Sequence, residues 1–379
     1  MNLVEDSGIV RALVSAFLIA LLIGWTLVRL KPWIGKVARE RDDHLAVQAS
    51  HAGDTIRLGG LAVLAGMLGG AALLSGRSSG GYTLLFLATL VPVFSAGLFE
   101  DLGYMVSARK RFLAALVSAL VAVSLLGLWV QRGDLVGLDQ LMGFAPAGIV
   151  VTVLLAAIFC HAVNLIDGMN GLAATVTVVA GLGLGDIAAQ AGTLQIAVLA
   201  HLLAAAAAGF FLVNWPGGRL FLGDAGAYSI GHVLVWLGIS LIALRPEVSV
   251  PSVILVLFYP FADTLHTVLR RWFAGKQITA PDRMHLHQKV RRFLELVWIG
   301  RGRRHVSNPL TTVAMLPVLV APVAAGVWSW NRPPWQGWLA LAASAAAFTA
   351  LHPLVVALAR RLRKGSCPEG KRPLSPATR

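Results

Sequence analysis

Long apolar runs alternate with short polar connections along most of the chain, and about 20 apolar residues are enough to cross a bilayer as a helix. Eleven such runs occur, and each is predicted to span the membrane. They begin near Val10, Leu58, Tyr82, Phe112, Ala147, Gly171, Thr193, Gly226, Val248, Leu310 and Gln336. Helices are expected because backbone polar groups in lipid must be satisfied within their own segment. The pattern therefore predicts an all-α, polytopic integral membrane protein.

Composition and charge support this class and give it an orientation. Hydrophobic residues make up 57% of the chain and charged residues only 13%, whereas soluble domains carry about 25% charged residues. Nearly all of the 32 lysines and arginines lie in alternate connections and in a basic tail at 359–379. The exceptions are Arg11, Arg77, Arg132, Arg245 and Arg332. The positive-inside rule then predicts an outer N-terminus and a cytoplasmic C-terminus. We attribute the net charge of +14 to anionic membrane lipids, not to nucleic acid.

The predicted cytoplasmic connections hold nearly all the concentrated polar chemistry. Four segments stand out, and a fifth is weaker. The four are "GLFEDLGYMVSARKRF" (97–112), "NLIDGMNGL" (164–172), "NWPGGRLFLGDAGAY" (214–228) and "APDRMHLHQKVRR" (280–292); the fifth is "SHAGDTIRLGG" (50–60). The outer connections are short and plain. This asymmetry predicts one active face on the protein, not a path through it.

The acidic residues in these segments each allow a functional and a structural interpretation. Glu100 and Asp101 end a predicted helix, where carboxylates oppose the helix dipole, so a solvated interface pair is the alternative to a site. Asp167 and Asn170 share a helical face, but they could equally cap the next helix. Asp224 lies in a glycine-flanked turn, which suits a Mg²⁺ ion that takes one or two carboxylates plus substrate phosphates. The alternative there is an ordinary turn.

The histidine segment is the basic counterpart of these acids. His285 and His287 are two residues apart, so they do not share a helical face, and no cysteines accompany them. A zinc site is therefore not predicted. A cationic group that meets phosphate fits better, with a basic membrane-surface loop as the alternative. Separated carboxylates and a basic cluster on one face together point to a metal ion and phosphates.

The five segments, in this order, resemble the motifs of the polyprenyl-phosphate N-acetylhexosamine-1-phosphate transferases. "SHAGDTIRLGGLAV" is similar to "SSH…PTPRxGGLAI", "GLFEDL" to the acidic DD motif, and "NLIDGMNGLA" to "NxxDGxDGLA". "NWPGGRLFLGDAGAY" resembles "N…P…iFxGDxGS", and "PDRMHLHQ" resembles "PDRxHxHH". The resemblance covers about residues 50–292 within a single domain of residues 1–379.

Four positions depart from the broad pattern of that family. Glu100 replaces the first Asp of the acidic pair, Asn170 the second Asp of the DG motif, Ala227 a Ser and Gln288 the last His. The combination looks most like the branch that starts O-antigen on GlcNAc, and least like the muramoyl-pentapeptide branch with its run of three histidines. The departures leave the reaction type intact and put the identity of the sugar in doubt.

The resemblance implies an enzyme that transfers an N-acetylhexosamine-1-phosphate from a UDP-sugar to undecaprenyl phosphate and releases UMP, to start O-antigen or another cell-envelope glycan. It implies Mg²⁺, or Mn²⁺ instead, held by Asp224 and Asp101. The implied catalytic residues are Glu100, Asp101, Asp167, His285 and His287. The implied substrate-binding residues are Arg57, Asn164, Asn170, Asn214, Phe221 and Arg283. The expected place is the bacterial cytoplasmic membrane, with the site facing the cytoplasm and a homodimer as one option.

A transporter or lipid flippase is the alternative class, because it too has many helices and charges near the membrane. Transporters often carry an internal repeat and place polar groups at the bilayer midplane. The motifs here are not repeated, and the predicted acidic groups lie at the cytoplasmic helix ends. The sequence therefore favours the transferase.

Overall fold

The computed structural model describes residues 6–37, 55–74, 78–277, 282, 284–300 and 302–365. Within these ranges the regular structure is entirely helical. The helices are α1 (Ser7–Val37), α2 (Gly59–Ala72), α3 (Ser78–Ala88), α4 (Val91–Asp101), α5 (Ala108–Leu126), α6 (Leu138–Gly143), α7 (Ala145–Ile166), α8 (Leu172–Gln190), α9 (Leu194–Asn214), α10 (Gly223–Leu244), α11 (Val250–Val256), α12 (Phe258–Phe273), α13 (Leu286–Leu294), α14 (Arg304–Ser329) and α15 (Pro334–Gly365). A π-helical turn, Glu295–Ile299, continues α13. The predicted all-α class is confirmed.

The helices account for every predicted apolar run. Among the described residues, seven helices are long and apolar enough to cross a membrane: α1, α7, α8, α9, α10, α14 and α15. Two bent pairs, α3 with α4 and α11 with α12, raise the number to as many as nine. The remaining two runs are α2, which has 14 residues, and α5, which begins with three basic residues. The fold is that of a polytopic membrane protein; the count of eleven and the orientation stay predictions.

Both bent pairs break where the backbone hydrogen-bond ladder is interrupted. The break is 56° between α3 and α4 and 85° between α11 and α12. Proline lies in the first turn of the second helix of each pair, as Pro92 in α4 and Pro260 in α12. Proline cannot donate a backbone hydrogen bond, and the N–H groups in the first turn of a helix have no partner within the helix, so proline is well tolerated there. After its bend, α4 ends with Asp101 beside the start of α10.

Helix α10 is the centre of the bundle. Of its most apolar stretch, 89% of residues are buried inside the protein, a larger share than in the other long helices. Helices α2, α4, α7, α8 and α9 pack around it. Small residues permit the closest approaches, as where Gly60 of α2 meets the backbone of Gly226, which is how membrane helices usually gain contact. The first turn of α10 therefore lies where several other helix ends meet.

Candidate active site

The first turn of α10 is held by a carboxylate from another helix. Asp101, the last residue of α4, accepts hydrogen bonds from the backbone N–H groups of Asp224 at 2.9 Å and Ala225 at 2.8 Å. A carboxylate at a helix N-terminus satisfies unpaired donors and interacts favourably with the helix dipole. The unfavourable position of Asp101 at the end of its own helix is thus offset by α10. Asp101 is half-buried, and these two contacts give it a structural role that the alternative of a solvated interface pair did not include.

A glycine at the start of α10 allows the other segments to come close. Gly223 has φ +77°, a conformation that favours glycine. A Cβ atom here would meet the carbonyl oxygen of Arg57 and would lie 2.6 Å from Asp101 Oδ2. Arg57 and Asp101, which are far apart in sequence, therefore both lie against this residue.

Backbone hydrogen bonds tie the arginine segment to the "FLGD" segment. The N–H groups of Gly59 and Gly60 donate to the carbonyls of Phe221 and Leu222, both at 2.8 Å. Phe221 in turn donates to the carbonyl of Ile56 at 2.9 Å. The predicted fifth segment therefore reaches the site through residues 55–60; Ser50 to Asp54 lie outside the described residues.

The Asp224 carboxylate faces an amide and a guanidinium. Its Oδ1 accepts a hydrogen bond from Asn164 Nδ2 at 2.9 Å, and its Oδ2 forms an ion pair with Arg111. The Arg111 guanidinium also lies 3.9 Å from Glu100 Oε1. Arg111 therefore holds two predicted carboxylates, which the sequence did not indicate, since it stands in a run of three basic residues that orientation alone could explain.

Asp167 completes the acidic group. It follows α7 directly, and its carboxyl is surrounded by protein although the residue is partly exposed. This burial raises its pKa from 3.8 to about 7, against the opposing effects of Arg57 and a hydrogen bond from the Gly223 backbone. The capping alternative is wrong, because Gly171 begins α8 without any side-chain cap. Asp101, Asp167 and Asp224 thus gather around Gly223, as predicted from the sequence.

The raised pKa of Asp167 gives a pH-dependent stability. The folded protein holds the proton up to about pH 7, whereas the unfolded chain releases it near pH 3.8. The stability that the folded protein gains from protonated Asp167 is therefore fully present below pH 3.8. It is lost as the pH rises to about 7. We expect Asp167→Asn to raise the Tm of the unliganded protein at pH 8 but not at pH 4. Thermal unfolding checks this, with the exposed Asp186→Asn on α8 as control; an equal shift at both pH values would contradict it.

One of the two histidines, His287, faces the loop that follows α7. His287 Nε2 lies 3.8 Å from the position that a Cβ atom on Gly168 would take. His285 and His287 are 2% and 1% exposed, so their interpretation as a basic surface loop is wrong. Arg283, which the resemblance implied as a substrate-binding residue, lies outside the described residues.

Asn170 and Asn214 hold the loops that frame the site. Asn214 donates through Nδ2 to the Leu220 carbonyl at 2.7 Å and accepts from the Gly171 N–H through Oδ1. Asn170 donates through Nδ2 to the Pro216 carbonyl at 2.8 Å. Both side chains are buried. Their contacts maintain the loops, and their predicted role in holding uridine stays a prediction, as does that of the half-buried Phe221.

Helix α14, which lies beyond the predicted motifs, also supports this loop. Asn308 Oδ1 accepts from the Asn170 N–H at 2.7 Å, and Thr312 Oγ1 donates to the Asn170 carbonyl at 2.7 Å. Both side chains are 3% exposed. No motif in the sequence identified them, because they act on backbone groups and carry no charge.

The carboxylate oxygens at this site fit a hard cation that also binds oxygen atoms of a substrate. Within the described part of the chain, no three His, Cys, Asp or Glu side chains form a ready-made metal cage. Mg²⁺ typically needs no such cage, since it takes one or two protein carboxylates and completes its shell with water and phosphate oxygens. Asp224, at a sharp glycine-flanked helix start, offers such a carboxylate.

Carboxylates, an arginine and buried histidines from several helix ends thus lie in one region of the helix bundle. Residues 83–242 match the family model described as glycosyl transferase family 4. The resemblance indicated by the motifs is therefore confirmed: this chain is similar to the polyprenyl-phosphate sugar-1-phosphate transferases, and the family match covers residues 83–242.

Three relatives show how far the similarity extends. A probable undecaprenyl-phosphate N-acetylglucosaminyl 1-phosphate transferase of Bacillus subtilis (strain 168) is 29% identical over 300 residues, which cover 76% of this chain and 79% of the relative. The decaprenyl-phosphate N-acetylglucosaminephosphotransferase of Mycobacterium tuberculosis (strain ATCC 25618 / H37Rv) is 27% identical, with 78% and 81% covered. A phospho-N-acetylmuramoyl-pentapeptide-transferase of Moorella thermoacetica is 28% identical, but over only 50% and 59%.

Proposed function

We propose that the protein transfers an N-acetylhexosamine-1-phosphate from a UDP-sugar to a polyprenyl phosphate. The observation that carries this is the meeting of Asp101, Asp167 and Asp224 around Gly223, with Arg57 and Arg111 beside them. Relatives whose names state this kind of transfer cover about three quarters of the chain. Undecaprenyl phosphate, a lipid of the membrane itself, is the acceptor we propose.

The reaction balances as a single displacement at phosphorus. An oxygen of the polyprenyl phosphate attacks the sugar-linked phosphorus of the UDP-sugar, and the bond from that phosphorus to the oxygen of UMP breaks. UMP leaves with the bonding electron pair, and a polyprenyl-diphosphate sugar remains. Two anions must approach each other, so positive charge is needed to offset their repulsion. Arg57 and Arg111 supply two fixed positive charges at this site.

Asp224 would hold a Mg²⁺ ion together with the phosphates of the substrate, and Mn²⁺ would fit the same oxygen ligands. When bound, such an ion stabilises negative charge that develops on the transferred phosphoryl group. Asp101, the other proposed ligand, uses both carboxylate oxygens to hold the amides of α10. Its main effect is therefore to fix the turn that presents Asp224.

The lipid phosphate needs little help from a base. A phosphate monoester has a second pKa of about 6, so it is mostly dianionic at neutral pH. Asp167, whose pKa is raised to about 7 by burial, is matched to exchange the remaining proton. His285, His287, Arg57 and Arg283 would bind the diphosphate or the sugar, and Glu100 and Asn164 would orient Arg111 and Asp224.

The donor we would test first is UDP-GlcNAc, because the names of the Bacillus subtilis and Mycobacterium tuberculosis relatives specify N-acetylglucosamine. We place the enzyme in the bacterial cytoplasmic membrane, with the site facing the cytoplasm, since the basic connections lie at the same ends as the site. Initiation of O-antigen or another cell-envelope glycan, and assembly as a homodimer, belong to the same proposal.

The purified protein, given undecaprenyl phosphate and UDP-GlcNAc, is expected to release UMP in the presence of Mg²⁺ and to stop when EDTA is added. A panel of other UDP-N-acetylhexosamines, measured in the same way, identifies the preferred sugar. Movement of a substrate across proteoliposomes without UMP release would instead support the transporter. No UMP release with any sugar of the panel would contradict the proposed transfer.

A further inference from the structure

Helix α12 presents two side chains to the two histidines. Tyr259 and Asp263 are four residues apart, so they lie on one face of the helix, one turn from each other. Asp263 Oδ2 lies 2.6 Å from His285 Nδ1, and the Tyr259 hydroxyl lies 3.0 Å from His287 Nδ1. Each histidine therefore has its own partner on α12, and each histidine makes this contact through its Nδ1 atom.

The Asp263 contact fixes the orientation of His285. The carboxylate is fully buried and its other oxygen accepts the N–H of Leu286 at 3.2 Å. An ionised carboxylate can only accept hydrogen bonds, so Nδ1 of His285 must carry a proton. Nε2 is then the nitrogen of His285 that can meet a ligand.

The Tyr259 contact holds the ring of His287 through Nδ1, where the hydroxyl can act as donor or acceptor. The two imidazole rings are nearly parallel, with 7° between their planes and 5.5 Å between their centres. Nε2 of His287 is buried without a hydrogen-bond partner within the described residues, and it lies beside Gly168. A buried polar atom without a partner is costly unless a ligand or water completes it.

The surroundings give the two rings different charges. Burial lowers the pKa of His285, but the hydrogen bond and charge of Asp263, aided by Asp282 and opposed by Arg270, outweigh it and raise the pKa overall. Burial lowers the pKa of His287 to about 4, with Asp263 opposing and His285 and Arg291 adding to the decrease. Near neutral pH, His287 is therefore uncharged, and His285 is the ring biased toward the imidazolium.

We propose that Tyr259 and Asp263 are positioning residues that give the two histidines different tasks at the phosphate site. Asp263 makes His285 a cationic donor for a phosphate oxygen. Tyr259 holds the ring of His287 and aims its Nε2 at the loop that carries Asp167. This inference rests on the proposed transferase function for the identity of the phosphate, but the histidine states that it assigns exist without substrate.

Histidine-selective ¹⁵N NMR of the full-length protein tests those states directly. The chain has 10 histidines, and His285→Gln and His287→Gln identify the two signals by subtraction. At pH 7 we expect His285 to show a larger protonated fraction than His287, which should be neutral. Asp263→Asn should lower the His285 midpoint by about one pH unit or more, whereas the exposed Asp186→Asn should leave it unchanged. Asp263→Glu, which restores a carboxylate, should recover part of the shift.

Tyr259→Phe keeps the ring and removes only the hydroxyl, so it should change the His287 signal and leave that of His285 in place. Tyr82→Phe on α3, whose hydroxyl meets Ser240 at 3.4 Å, is the matched control. A wild-type His285 that titrates no higher than His287, or that ignores Asp263→Asn, would overturn the proposal. This wild-type comparison decides the matter even where a variant fails to fold.

The activity readout separates positioning from a merely structural role. The kcat for UMP release should fall about ten-fold in Asp263→Asn at pH 8, and acid should restore much of it because His285 then regains its proton. A loss that is equal at every pH would contradict the assigned task. If the wild type releases no UMP, the transferase proposal fails, while the NMR result still decides the histidine states.

Discussion

Asp224→Asn is expected to lower UMP release by about a thousand-fold while the protein remains folded. Asparagine keeps the shape of the side chain, and its oxygen can still accept the hydrogen bond from Asn164 that Asp224 Oδ1 accepts at 2.9 Å. It removes the negative charge that pairs with Arg111 and that we propose to bind a cation. The first turn of α10 should survive, because Asp101 holds its N–H groups.

The assay compares UMP release by the wild type, Asp224→Asn and Asp186→Asn at saturating Mg²⁺. Asp186 is an exposed carboxylate on α8, with Gln190 as its hydrogen-bond partner, so its change should leave activity within about two-fold. Size-exclusion chromatography and Tm confirm that the variants are folded. Activity of Asp224→Asn close to that of the wild type would remove Asp224 from the site and end the metal proposal with it.

Much of the fold could be predicted because its main determinant is local. A run of apolar residues must form a helix in lipid whatever its neighbours are, so each predicted run coincides with a helix or a bent pair. The bends were harder to predict from the sequence, since Pro92 and Pro260 start new helices only when the preceding helix ends at a suitable angle. That angle depends on packing against other helices, α10 for α4 and α7 for α12, which the sequence of one segment does not contain.

The candidate site could be predicted where a residue type is expensive to bury. Asp101, Asp167 and Asp224 stand out in an apolar chain because an unpaired charge near lipid is costly. The structure brings all three to Gly223. The partner of a charged residue is harder to predict. Arg109, Lys110 and Arg111 are three consecutive basic residues, and the sequence does not distinguish between them. Only Arg111 turns inward to Asp224 and Glu100, while the other two are exposed.

Residues that act by positioning another residue were the hardest to predict from the sequence. Asp263 and Tyr259 lie within an apolar run, and nothing local links them to histidines more than twenty positions away. The 85° break before α12 creates that link, because it turns the helix toward α13. Asn308 and Thr312 are similar, since they bind only the backbone of Asn170. Long-range contacts of this kind follow from the arrangement of helices and not from any spacing.

Close packing of α4 against α10 should be as necessary to the site as its charges. Gly97 lies one turn before Asp101 on α4, and a Cβ atom there would lie 2.5 Å from the backbone nitrogen of Ala225 and 2.7 Å from the carbonyl carbon of Asp224. Backbone cannot move aside as a flexible side chain can. A methyl group at Gly97 would therefore push α4 away from the turn that Asp101 caps.

Gly97→Ala is accordingly expected to destabilise the protein by about 1–3 kcal/mol, the usual cost of overpacking. UMP release should fall by about a hundred-fold, because a displacement of about 1 Å at a catalytic site can have that effect. Gly81→Ala on α3 is the matched control, since a Cβ atom there meets nothing within 4 Å and alanine favours the helix. Thermal unfolding and UMP release are measured for both. If Gly97→Ala behaves like Gly81→Ala, α4 does not depend on this contact, and Asp101 must reach α10 by some other support.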